Sequence, residues 1–141
     1  MKRITKYTFA ALTLTFLLAA TACGAADNEA TAPTAAADVT YEQLSAEQAK
    51  EIMDSEQPYY LIDARTDAEF AEGHIAGAVV IPEYEIAQRA ENEIADKDAL
   101  ILVYCRSGRR SKIAAEEIIK LGYTNVKEFG GIIDWPYEIE K

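Results

Sequence analysis

The sequence predicts an α/β domain in which a parallel sheet is covered by helices on both faces. Two observations predict it. The runs 59–63, 78–81 and 99–104 are continuously apolar up to a polar or aromatic end rather than alternating, which is the profile of strands buried on both sides. Stretches with helical period lie between and beyond them, and strands alternating with helices of this length need crossover connections and therefore pair in parallel. The expectation covers residues 39–141, a span long enough to bury a core without disulfide staples.

The first helix is read over 45–53. Ser45 is a good N-cap, Glu47 lies in the first turn, and Ala49, Ile52 and Met53 share one stripe. Pro58 then punctuates, and the run 59–63 is the first buried strand. Between the strands at 78–81 and 99–104, the segment 83–93 is expected to be helical with Tyr84, Ala87 and Ile86 inward. The clearest helix is 111–121, where Ala114, Ile118 and Leu121 fall at i, i+4 and i+7 and Ala115 with Ile119 widens the stripe. Gly122 stops it. Residues 126–129 form a last short strand, Gly130-Gly131 a turn, and the segment from Ile132 to Trp135 packs the end.

Composition narrows the function. The 141 residues carry 14 Lys+Arg against 24 Asp+Glu, a net charge of −10. No basic cluster follows the first few residues, so nothing offers a footprint for a phosphate backbone, and no nucleic-acid partner is expected. Two cysteines cannot build a multi-disulfide scaffold.

The N-terminus reads as an export signal. Lys2, Arg3 and Lys6 precede an uncharged run over 7–20, too short for a spanning helix of roughly 20 residues. The small residues before Cys23 resemble the lipobox of bacterial lipoproteins, with Ala20 in the place where Leu is usual; Ala20-Thr21-Ala22 also fits an ordinary signal peptidase. The expectation is a signal peptide at 1–22, acylation of Cys23 as a lipid anchor to the membrane, and a flexible acidic linker over 23–38. The folded domain would then lie outside the cytoplasmic membrane, or be periplasmic or secreted if Cys23 is not acylated. Residues 24–38 hold no large apolar side chain, so they cannot bury enough surface to offset the entropy of ordering.

The chemistry concentrates at Cys105. It ends the most apolar strand, and Arg106, Ser107, Gly108, Arg109, Arg110 and Ser111 lead straight into the clearest helix. A loop between a parallel strand and a helix N-terminus gathers backbone N–H groups and the positive end of the helix dipole, which together make an anion site. A thiol there has its pKa lowered, and three neighbouring arginines add positive charge. The alternative, a small buried hydrophobe at a strand end, fits poorly with three arginines within five residues. The cysteine is read as a thiolate nucleophile.

These residues, with others in order along the chain, resemble the single-domain rhodanese family of sulfurtransferases. The motifs are Leu61-Ile62-Asp63-Ala64-Arg65 with Glu69-Phe70, Gly73-His74-Ile75-Ala76-Gly77-Ala78 leading to Ile81-Pro82, the Cys105 to Ser111 loop, and Leu121-Gly122-Tyr123 with Gly130-Gly131-Ile132 and Trp135. The resemblance implies a five-stranded parallel sheet and transfer of sulfane sulfur through a persulfide on Cys105. It implies a small sulfur-donor anion such as thiosulfate and a thiol or cyanide acceptor, with no cofactor. The alternative is a sulfur carrier that hands its persulfide only to a protein partner.

Related phosphatases and arsenate reductases place arginine six positions after the cysteine; here that position is Ser111, and Arg110 arrives one residue early. The loop is thus expected to be narrower and to favour sulfur. Asp63, Arg65 and Glu69 read as an ion-pair and capping group supporting the site. His74, the sole histidine, reads as structural, the general-base role being the alternative. Without a second histidine or a cysteine pair, no metal site is expected.

Overall fold

The structure, a computed structural model, describes residues 40–141. The expected signal peptide, the acylation candidate Cys23 and the linker lie outside the described residues.

Five strands, all parallel, form one sheet. In chain order they are β1 (Glu42–Gln43), β2 (Tyr60–Asp63), β3 (Val79–Val80), β4 (Ile101–Cys105) and β5 (Val126–Gly131), and across the sheet they run β1-β5-β4-β2-β3. The helices are α1 (Ala46–Asp54), α2 (Asp67–Glu72), α3 (Ile86–Glu93) and α4 (Arg109–Lys120), with short 3-10 turns at Glu83–Glu85 and Ile132–Asp134.

The two faces bury separate clusters because successive side chains of a strand point to opposite sides. Ile62, Ile101, Val103 and Cys105 face Ile86 and Ala90 of α3 and Ala114, Ala115 and Ile118 of α4. Leu61, Leu102, Tyr104 and Phe129 face Ala49, Ile52 and Met53 of α1, together with Ile75 and Trp135. The central strand, β4, is buried along its whole length, so its carboxyl end delivers Cys105 into the middle of the sheet's rim.

Several elements depart from the sequence expectations. Tyr84 and Ala87, expected inward, are exposed. The segment begins as a 3-10 turn, whose three residues per turn reset the phase, and Ile86 and Ala90 take the inner positions of α3. Helix α2 was not anticipated: it buries no residue and so has no apolar stripe, yet its Thr66–Glu69 capping box is present in both directions. Helix α4 starts at Arg109, two residues before the expected Ser111, so Ser111 lies inside its first turn. Gly130-Gly131 is not a turn but the end of β5. Val103 pairs with Glu128 and Cys105 with Gly131, one residue more on β5 than on β4, which is a bulge.

Candidate active site

Cys105 stands where β4 ends and the chain curls through Arg106, Ser107 and Gly108 into α4. Gly108 is the N-cap residue of that helix with φ +93°, a left-handed conformation that favours glycine. The curl turns the Gly108 N–H back onto Sγ at 3.1 Å, and the Ser111 hydroxyl lies 3.4 Å from the same sulfur. Burial alone would push this thiol up. The Ser111 hydroxyl and the backbone N–H groups of Ser111, Ser107 and Gly108 outweigh it, and the net shift is downward. The sulfur thus lies at the N-terminal end of a twelve-residue helix, in the field of its dipole.

The three arginines separate. Arg110 reaches back to α2, where its Nη1 and Nη2 each meet a Glu69 carboxylate oxygen at 2.7 Å. That guanidinium holds Glu69 down to about 2 against the opposing effect of burial, and the Thr66 N–H and hydroxyl add to the lowering. Arg106 and Arg109 are exposed, and neither forms an ion pair among the described residues. Ser107 is exposed at the loop's outer turn.

The expected Asp63, Arg65 and Glu69 group divides in two. Asp63 and Arg65 are both buried and pair with each other, with Arg65 Nη2 at 2.6 Å from Asp63 Oδ2 and 2.7 Å from the Gly73 carbonyl. This joins the end of β2 to the end of α2. Glu69 belongs instead to the Thr66 cap and to Arg110. His74 stacks on Phe70 with ring centroids 3.7 Å apart, and its Nδ1 lies 3.1 Å from the Phe70 carbonyl oxygen. Its backbone pairs with that of Glu140. These contacts belong to a brace at the chain's end.

Two residues of the site were missed by sequence reasoning. Gly131 has no Cβ because the active-site loop lies on it: a Cβ there would sit 2.2 Å from the Arg106 carbonyl oxygen and 2.5 Å from Ser107 Cα. Glu128, 2% exposed, points from β5 toward α4, and its Oε1 accepts from Ser111 Oγ at 2.6 Å and from the Gly130 N–H at 2.8 Å. The available signal was an acid between Val126 and Phe129 in a strand of a sheet covered on both faces, where a solvent-facing position is rare.

This geometry has counterparts. Residues 45–136 match the family described as "Rhodanese-like domain". Over 73 residues, covering 52% of this chain and 70% of the relative, the sequence is 37% identical to a protein named thiosulfate sulfurtransferase PspE from Escherichia coli. It is 41% identical over 76 residues to a protein named sulfurtransferase from Allochromatium vinosum, covering 53% of this chain and 69% of that one. Among solved structures, one described as a rhodanese with anions from E. coli is similar with a TM-score of 0.57 and 33% identity, covering 60% of this chain and 99% of the other.

Proposed function

The chain belongs to the rhodanese-like domain family, and from that membership we propose that it is a sulfurtransferase that carries sulfane sulfur as a persulfide on Cys105. The observation that carries the reading is the Gly108 N–H held on Sγ at 3.1 Å at the head of α4, in a loop able to stabilise negative charge one atom further out.

In the first half-reaction the Cys105 thiolate attacks the outer sulfur of thiosulfate. A Cys105 Sγ–S bond forms, the S–S bond inside the donor breaks, and sulfite leaves with the electron pair. In the second, cyanide or an acceptor thiolate attacks the outer sulfur, the Sγ–S bond breaks, and Cys105 is again a thiolate. This is covalent catalysis in two displacements. Arg106 and Arg109 are free to meet the donor's sulfonate oxygens, whereas Arg110 is engaged by Glu69. A second observation favours sulfur over phosphate or arsenate. The sixth position after the cysteine is Ser111, backed by the Glu128 carboxyl at 2.6 Å, where a tetrahedral oxyanion would want a cation.

We further propose that Cys23 is acylated and tethers the domain outside the cytoplasmic membrane; incorporation of labelled palmitate that is lost in Cys23→Ala tests this. The sulfurtransferase reading is tested by intact mass spectrometry after incubation with thiosulfate. The expected result is a gain of one sulfur atom, absent in Cys105→Ser. Loading with no turnover onto cyanide would assign the chain to partner-dependent sulfur carriage. No loading in the folded protein would overturn the reading.

A further inference from the structure

Behind the loop lies a carboxyl group that neither displacement uses. Glu128 is 2% exposed and takes part in no ion pair among the described residues. Isolated buried charge is costly unless hydrogen bonds or a shared proton relieve it.

Its link to the sulfur runs through one atom. Ser111 Oγ has a single proton and four acceptors in reach: Glu128 Oε1 at 2.6 Å, the Gly108 carbonyl at 3.0 Å, the Gly130 carbonyl at 3.2 Å and Cys105 Sγ at 3.4 Å. The hydroxyl donates along one direction at a time. When Glu128 is ionised it is the strongest acceptor, the Ser111 proton turns to it, and Oγ presents a lone pair toward sulfur, which suits an S–H. When Glu128 carries a proton it donates to Oγ, and the Ser111 proton is released toward a thiolate. The two arrangements hold the same atoms and the same total charge.

We propose that Cys105, Ser111 and Glu128 share one proton, with Glu128 taking up the proton that Cys105 gives up on becoming a thiolate. In the step, the Cys105 S–H bond breaks and leaves its electron pair on sulfur. Ser111 Oγ gains that proton and passes its own to Glu128 Oε1. Negative charge moves from carboxylate to sulfur, and no proton crosses to solvent. The pocket never holds two anions at once, which would repel each other with little water to screen them. Glu128 is a positioning residue here, acting on sulfur only through Ser111. The other ionisable groups that sense the pair are Tyr41 and Glu116 on the Glu128 side and Arg110 on the Cys105 side.

The inference deepens the sulfurtransferase reading but rests only on the ionisation of Cys105. Its test is the pH dependence of Cys105 alkylation by iodoacetamide in the wild type, Glu128→Gln and Ser111→Ala. A shared proton gives the wild type two rises separated by more than about one pH unit, since the two groups titrate as a pair. Glu128→Gln keeps the shape and an acceptor for the Gly130 N–H, and is expected to show one rise, at lower pH than the wild type's upper one. Ser111→Ala is expected to show one rise at higher pH. A Glu128→Gln profile that superimposes on the wild type, with native circular dichroism, overturns the proposal. Should that variant fail to fold, the infrared difference spectrum of the wild type on alkylation decides. Loss of a protonated-carboxyl stretch supports the shared proton, and no carboxyl change overturns it. Failure of thiosulfate loading would sink the transfer reading and leave this result standing.

Discussion

Arg110 and Glu69 face each other in a two-point ion pair, Nη1 to Oε2 and Nη2 to Oε1, both at 2.7 Å, across a sequence separation of 41 residues. The pair fastens the first turn of α4 to the first turn of α2, and it removes one of the loop's three arginines from the work of binding substrate.

Glu69→Gln should therefore lower stability by about 1 kcal/mol at neutral pH, the modest figure reflecting a pair still in contact with solvent. Because Arg110 depresses Glu69 to about 2 from the ordinary 4.5, the pair's contribution is fully present above about 4.5 and is lost as pH falls toward about 2. Urea unfolding between pH 7 and pH 3 checks this: the gap between wild type and variant should narrow as the pH drops.

Arg106 and Arg109, exposed at the mouth of the loop, should act on binding. The double variant Arg106→Ala, Arg109→Ala is expected to raise KM for thiosulfate about tenfold, with kcat changed less than about twofold. Steady-state kinetics at several salt concentrations would read it, because added salt should weaken wild-type kcat/KM more than that of the double variant.

Gly131→Ala places a methyl group 2.2 Å from the Arg106 carbonyl oxygen, a contact relieved only by moving the active-site loop. The expected cost is about 3 kcal/mol in stability, as for an overpacked core, with sulfur loading of Cys105 lost in the folded fraction. Thermal unfolding and intact mass give the two readouts separately.

Asp63→Asn leaves the buried Arg65 guanidinium without its counter-charge. A loss of about 3 kcal/mol is expected, the usual consequence of removing one partner of a buried pair, and chemical denaturation measures it.

Much of this was legible in the chain. The strands β2 and β4 and the helix α4 announce themselves by unbroken apolar runs and a repeating stripe, and Cys105 is marked by the arginines and glycine beside it. What was not legible depends on contacts distant in sequence. Glu128 lies 17 residues beyond Ser111, and a lone acid in a short strand reads as a solvent-facing position until α4 is laid over it. Likewise, Tyr84 and Ala87 follow a helical stripe on paper, but the opening 3-10 turn rotates α3 so that Ile86 and Ala90 take their place.

Trp135, the only tryptophan in the chain, is buried with its ring 5.5 Å from Phe129 and 4.9 Å from Tyr137. It follows directly on the 3-10 turn whose Ile133 N–H donates to the Arg106 carbonyl at 3.3 Å. The molecule therefore carries its own optical probe, one hydrogen bond removed from the reactive loop. A shift of that loop when sulfur arrives on Cys105 should register in the indole emission, so that loading can be followed in real time without a label.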